Sequence, residues 1–443
     1  MNDLSILAAA NELPQGLCLR TGERDYTFAD VRELVMARLA HLDPLDRRPR
    51  CVAASASLES IIEIYALLEL KTPIVLIHPA LTQPERTALC ERVDEMREPL
   101  PEDCAVVLFT SGTTGRPKAA MLSRSALIAS AVSSADNIPL APGDLWQLSI
   151  SPARIGGFSI LTRSLFARSA VGLPGKFTVD SFVRKLSEQR ATLASIVPTM
   201  LAMVLEKYPE WRPPEHVRAL LLGGSAMNRK LRERAARLGI PIVTTYGMTE
   251  TASNVVTTRF ADRFKPSEAC GSANAGVRIR AVNGAIEVRT PSLMLGYWGA
   301  PAIDREDWFA TGDMGWIDER GEVHILGRRS DLIVTGGENV YPAEVEQQIE
   351  SIPGIRACRV IGMPDEVWGA VVTALLVPEA EPLPAAALKL AFSSMLARFK
   401  CPRRVAWVRE LPVTEGGKPD RSPERLRGIE LAVMHYTRPD EER

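Results

Sequence analysis

Residues 105–118 read Ala105-Val106-Val107-Leu108-Phe109-Thr110-Ser111-Gly112-Thr113-Thr114-Gly115-Arg116-Pro117-Lys118. The apolar first half predicts a buried strand, and it runs directly into hydroxyls and glycines. Such a loop suits phosphate. Gly112 and Gly115 permit sharp turns that bring backbone N–H groups close to an anion, Thr110, Ser111, Thr113 and Thr114 add hydroxyl donors, and Lys118 adds charge. The register is not that of a Walker loop, which needs Gly-Lys-Ser/Thr five residues after its first glycine; five after Gly112 stands Pro117. A flexible polar linker seldom follows so apolar a run.

Outward from this loop, helical and strand-like patterns alternate. Helices are predicted over 28–42 and 58–70, with strands near Val52 and over 73–77, the rhythm of a parallel sheet with crossover helices. A helix is expected over 124–135, and strand-like runs follow at 194–197, 217–222 and 240–244. Each ends in polar or glycine residues, where open α/β sheets place ligands. From Val277 the pattern changes to hairpins: 277–282 and 285–290 flank the turn Asn283-Gly284, and 315–317 pairs with 323–326. A smaller unit follows, with helices over 342–352 and 385–399 and strands near Val360 and over 371–377. The expected class is α/β: a large N-terminal domain of parallel-rich sheets with packed helices and a β-hairpin subdomain, over 1–328, and a small α+β C-terminal domain over 329–443.

Composition narrows the function. The 443 residues exceed one ordinary core. With 53 basic against 54 acidic residues the formal net charge is −1, which points to no nucleic-acid partner. The seven cysteines show no Cys-x-x-Cys spacing and the five histidines do not cluster with them, so a zinc site and a disulfide framework are both disfavoured. The N-terminus lacks a basic region before an apolar core, and no run approaches the ~18 apolar residues of a membrane span. A cytoplasmic protein without a membrane or nucleic-acid partner is the simplest expectation, as monomer or homodimer.

The loop resembles the phosphate-binding loop of the acyl-adenylate-forming superfamily, which includes acyl-CoA synthetases, adenylation domains and firefly luciferase. The resemblance continues in order through Thr245-Tyr246-Gly247-Met248-Thr249-Glu250, Thr311-Gly312-Asp313, Gly327-Arg328-Arg329-Ser330-Asp331, Gly336-Gly337-Glu338-Asn339-Val340-Tyr341-Pro342 and Gly416-Gly417-Lys418. It implies ATP, Mg2+ and CoA as cofactors and co-substrates. It also implies roles: Tyr246 and Gly247 against adenine, Gly223 and Gly224 shaping the adenine and acyl walls, Asp313 and Arg328 on the ribose, Thr249 toward the α-phosphate, Glu250 as the Mg2+ ligand and Lys418 as the catalytic lysine. Taken alone, Thr249-Glu250 reads equally as a helix cap, Asp313 as a turn-forming Asx residue and Lys418 as solvated surface. The resemblance further implies a rotation of the small domain about Ser330, which presents Gly336 and Gly337 to a pantetheine tunnel.

Residues 155–163, Val197-Pro198-Thr199, Leu221-Leu222-Gly223-Gly224-Ser225 and residues 327–333 resemble the o-succinylbenzoate-CoA ligase branch, a menaquinone-pathway activity. An acid and CoA pocket is then implied at Arg154, Gly157, Pro198, Ser225, Met248, Gly336 and Gly337. One departure stands out: these ligases usually read Pro-Leu-Phe-His where this chain has Ser151-Pro152-Ala153-Arg154. Arg154 suits a second substrate carboxylate or a CoA phosphate, or equally neighbouring carbonyls. The expected activity is an ATP-dependent ligase that adenylates an aryl or keto-aryl acid, releases pyrophosphate and transfers the acyl group to CoA. Two alternatives are loading of an acyl carrier protein's phosphopantetheine and a non-adenylating acyl-CoA-binding transferase relative.

Replacing Lys418 by Ala should remove a charge-assisted contact to the adenylation transition state, costing about 3 kcal/mol, or roughly 100- to 1000-fold. Pyrophosphate exchange measures it, and an exchange rate near wild type rejects the assignment.

Overall fold

In the computed structural model, residues 3–96, 98–110, 118–413 and 419–436 are described. Two sheets build the N-terminal part. The first has five strands, ordered Gly296–Tyr297, Lys118–Ser123, Cys104–Thr110, Ile74–Ile77 and Arg50–Ala53. Strand Ile74–Ile77 is buried throughout because both of its faces are covered: Ile74 and Leu76 enter the main core, whereas Val75 and Ile77 pack beneath helix Gln83–Glu95 in a second cluster. A fully buried strand of this kind reads as an unbroken apolar run rather than an alternating one.

The second sheet has nine strands. Its centre is parallel, with Leu193–Ile196, Ala219–Leu222 and Ile242–Met248 side by side, and its margins are antiparallel. Helices Phe28–Leu39, Leu58–Leu70, Arg124–Asn137 and Ile155–Ala167 contribute side chains to the core shared by the two sheets. Helix Leu58–Leu70 buries eight of its side chains, Ser60, Ile61, Ile62, Ile64, Tyr65, Ala66, Leu67 and Leu68, and starts at the Ser57 hydroxyl, which accepts from the Ser60 N–H. Helices Val179–Glu188, Pro198–Lys207 and Arg229–Arg237 cover the other face of the nine-stranded sheet.

Strands Arg278–Val282, Ala285–Arg289, Phe309–Ile317 and Val323–Arg328 form an antiparallel four-stranded sheet. Its first hairpin turns at Asn283 and Gly284, both at positive φ (50° and 78°), as the Asn-Gly pair predicts. Beyond Asp331 lies a six-stranded sheet, mostly antiparallel, with a core of its own that includes Val345, Val360, Leu376 and Phe392.

Several sequence-based expectations shift. Residues 245–248 extend strand Ile242–Met248 instead of leaving it at 244, because its second half pairs antiparallel with Ser253–Thr257. Asp313 lies within strand Phe309–Ile317, opposite Arg328, rather than in a turn. The helix expected to reach Phe399 ends at Met395: Leu396 is extended, and Cys401, held extended by the following proline, closes a short 3-10 turn over Arg398–Lys400. Among the described residues no helix is long and apolar enough to cross a membrane.

On helix Pro342–Glu350, burial pushes the Glu350 carboxyl up to about 7, against the opposing pull of the Cys358 N–H that it accepts at 3.0 Å. Between its ordinary value and about 7 the folded chain therefore holds more protons than the unfolded chain, so this group's contribution to stability falls as pH rises through that window. Glu350→Gln should flatten that slope and stabilise the chain at pH 8 by about 1–2 kcal/mol, read by urea unfolding of both proteins between pH 5 and 8.

Candidate active site

Parallel register decides where the site forms. Leu222 lies opposite Ile196 on one side and Thr244 on the other, so Val197-Pro198 and Gly223-Gly224 leave the sheet at the level where Thr245-Tyr246 continue their strand by pairing with Ser253–Thr257. They pack so closely that side chains are excluded. A Cβ on Gly223 would stand 2.4 Å from Thr245 Oγ1, and one on Gly247 would stand 2.0 Å from the Ser253 carbonyl oxygen. Pro198 is the buried first residue of its helix, Met248 is buried, and Ser225 is half-buried.

Beside this edge the four-stranded sheet delivers a buried carboxylate. Asp313 Oδ2 accepts from the Tyr246 hydroxyl at 2.7 Å, and Oδ1 pairs with Arg328 Nε at 2.9 Å. Arg328 also donates to the Thr311 carbonyl at 3.0 Å, and Gly312 holds a positive φ of 77° between the two partners. Burial, and then the neighbouring Asp313 charge, raise the Tyr246 phenol well above its usual range, so it stays a donor. Tyrosine, carboxylate and guanidinium thus form a fixed polar wall.

A second cluster joins the two sheets. Tyr297, on the edge strand beside Lys118–Ser123, donates to Glu250 Oε1 at 2.7 Å, and the Lys118 ammonium sits 5.0 Å from the Tyr297 ring centroid. The Glu250 carbonyl accepts from Met294 N–H at 2.8 Å, which secures the short turn Thr249–Thr251. Glu250 has no ion-pair partner among the described residues. A single carboxylate held by Tyr297, with the Lys118 ammonium over the same ring, is a donor set that Mg2+ accepts, since that ion takes few protein carboxylates and fills its shell with other oxygens. Thr110 ends its strand at the loop, its hydroxyl 3.4 Å from the Lys118 carbonyl. Ser111, Gly112, Thr113, Thr114, Gly115 and Lys418 lie outside the described residues.

A third feature is a buried cation. Arg163, 4% exposed, donates through Nη2 to Ser130 Oγ at 3.2 Å and to Asn254 Oδ1. No acidic side chain pairs with it among the described residues, and Arg163 Nε and Asn254 Nδ2 are buried without partners. Burial lowers its guanidinium to about 9. Arg163 belongs to the helix that starts beside Arg154, whose first turn is pressed against the Ser151 carbonyl: a Cβ on Gly157 would stand 2.2 Å from that oxygen. Arg154 itself is exposed and makes no capping bond. Nine residues separate the two arginines, about 13 Å along the helix axis. Gly336 and Gly337 form an exposed turn at positive φ, and Ser330 lies exposed in the 3-10 turn Arg329–Asp331.

The pattern of the AMP-binding enzyme family matches residues 49–298, and that of the AMP-binding enzyme C-terminal domain matches 344–418. The chain belongs to the AMP-binding enzyme family. Within it, the chain is 35% identical to the 2-succinylbenzoate–CoA ligase of Listeria monocytogenes serotype 4b (strain F2365), over 83% of this chain and 79% of that one. It resembles the o-succinylbenzoate CoA synthetase of Bacillus subtilis in complex with its acyl-adenylate intermediate at a TM-score of 0.85 and 28% identity, covering 96% of this chain and 98% of that one. Against a double mutant of the Bacillus subtilis enzyme bound with a product analogue the TM-score is 0.68 at 28% identity, covering 98% and 100%.

Sequence reading of this AMP-binding enzyme missed Tyr297, Arg163 and Asn254 as site candidates. Arg163 did leave a signal, a lone arginine within the apolar run Phe158-Ser159-Ile160-Leu161-Thr162. Tyr297 left none, because only sheet pairing brings it to Glu250. Removing a buried charge that lacks a counter-ion is often stabilising. Arg163→Met should therefore raise the unfolding free energy of the ligand-free chain by about 1 kcal/mol or more, read by urea denaturation.

Proposed function

We propose that this AMP-binding enzyme is an ATP-dependent acid–thiol ligase that converts 2-succinylbenzoate to its CoA thioester, with ATP, Mg2+ and CoA as co-substrates and cofactor. One observation supports the acid best: the buried, uncompensated Arg163. 2-Succinylbenzoate carries two carboxylates. Adenylation neutralises one of them, and the other remains an anion that must be taken out of water. A guanidinium already stripped of water, with an idle Nε and the idle Asn254 amide beside it, offers that anion directional donors at little further desolvation cost. A simple aliphatic acid would leave the charge unpaired.

The remaining roles belong to the same proposal. The adenylating part spans 1–328 and the mobile part 329–443, with Ser330 as hinge. Tyr246 and Gly247 face the base, between the strand end and Gly223-Gly224, while Asp313, paired with Arg328, accepts from the ribose hydroxyls. Glu250, oriented by Tyr297, holds Mg2+, whose contribution when bound is to neutralise phosphate charge. Thr110 to Lys118 restrain the leaving pyrophosphate, Thr249 turns its hydroxyl to the α-phosphate, and Lys418 bridges the attacking carboxylate and that phosphate. Positioning and charge compensation account for most of such catalysis. Arg154, exposed at the helix start, and Gly336-Gly337 serve the CoA side. Free CoA rather than a carrier protein is the acceptor, in keeping with the names of the relatives.

A panel of acids with ATP and free CoA, read by mass spectrometry for acyl-AMP and thioester, tests the reading. 2-Succinylbenzoate should lead the panel. Arg163→Gln should lower its kcat/KM by roughly 100-fold or more while changing that for benzoate less than ~5-fold. Faster turnover of aliphatic acids, or equal losses for both acids, rejects the assignment.

A further inference from the structure

Lys230 is the second residue of helix Arg229–Arg237, which begins five residues after Gly224. Its ammonium does not turn to the solvent or to its own helix. It donates to the Ile355 carbonyl at 2.7 Å and to Glu379 Oε1 at 2.9 Å, with the Ile352 carbonyl at 3.5 Å. All three acceptors belong to the chain beyond the hinge. Ile352 and Ile355 lie just past the C-terminal end of helix Pro342–Glu350, where carbonyls lack helical partners and carry partial negative charge. Glu379 is itself fixed, its Oε2 accepting the Gly354 N–H at 3.2 Å, and the Lys230 bond holds its carboxyl below the usual range. A second pair, Arg356 to Glu206 at 3.1 Å, crosses the same seam but is more exposed at both ends.

A donor on one side of a hinge and three converging acceptors on the other make a contact specific to one orientation. Rotating the small part by more than a few degrees would separate them together, because the acceptors are spaced along a rigid loop and strand end. The sequence bearing Lys418 continues from the same small part.

We propose that Lys230 is a positioning residue for the adenylating half-reaction, an interdomain latch whose bonds to Ile352, Ile355 and Glu379 hold the small part in its present orientation, which matches the acyl-adenylate complex of the Bacillus subtilis enzyme (TM-score 0.85) better than the product-analogue complex of its double mutant (0.68). The inference rests on the ligase reading above. Opening the latch is then part of the passage to thioester formation, so its loss slows one half-reaction and spares the other.

In the full chain, Lys230→Met is expected to lower kcat for acid-dependent ATP–pyrophosphate exchange about 10-fold, with the KM for ATP within ~2-fold of wild type. Thioester formation from supplied acyl-adenylate and CoA should keep at least its wild-type rate, and Lys230→Arg should restore most of the exchange. Glu379→Gln, near-isosteric and at the surface, should act in the same direction and carries the test if Lys230→Met folds poorly. Unchanged exchange in the variants, or equal losses in both half-reactions, overturns the latch. A wild-type chain with no acid-dependent exchange refutes the ligase reading instead. The latch is then decided by spin labels at the exposed Val132 and Leu390 in a Cys51→Ser background: their distance distribution broadens in Lys230→Met if it exists, and an equally narrow one overturns it.

Discussion

Leu222 faces Ile196 on one neighbouring strand and Thr244 on the other. That parallel register sets Val197-Pro198, Gly223-Gly224 and Thr245-Tyr246 at one height, and the Asp313–Arg328 pair stands beside them. The register tolerates no displacement by one residue, because side chains on these strands alternate between the two cores that cover the sheet. Glycines at 223 and 247 remove the side chains that would otherwise hold adjacent segments apart, and the neighbouring strand ends can then close to contact distance.

Charge is managed differently at each of the three clusters. Asp313 is neutralised in place by Arg328 and oriented by Tyr246, both partners supplied by the chain itself. Glu250 accepts from the Tyr297 hydroxyl and has no ion-pair partner among the described residues. Arg163 is left with neutral partners alone, so its burial costs the fold free energy that an anionic ligand can return. In the role proposed for Arg163, the fold is destabilised where its ligand would bind, the usual tension between stability and activity. The Lys230 contact belongs to the same economy of charge, although it joins two distant parts of the chain rather than meeting a substrate.

Much of this was legible in the chain itself. The strand feeding the 110–118 loop, the helix over 58–70 and the Asn283-Gly284 hairpin all follow from local periodicity and turn chemistry, and they lie where those rules put them. The resemblance to adenylate-forming enzymes rests on ordered motifs, and family membership agrees with it. Boundaries were less legible where tertiary pairing overrode local signals. Residues 245–248 look like a loop yet are a strand because Ser253–Thr257 pairs with them, and Asp313 looks like a turn residue yet lies opposite Arg328 in a ladder.

By itself, then, the sequence determined the class of chemistry: glycines, hydroxyls and a lysine after an apolar strand, followed by spaced acidic and basic motifs, specify a nucleotide-handling α/β enzyme because each depends on neighbours within a few residues. Only the tertiary structure decided which charges meet. Tyr297 reaches Glu250 across 47 residues, Arg163 reaches Asn254 across 91 and Lys230 reaches Glu379 across 149, and at such separations no local pattern records whether a charge is paired, idle or bridging two halves of the molecule. Burial and partners set the worth of a charge, and both are properties of the folded chain.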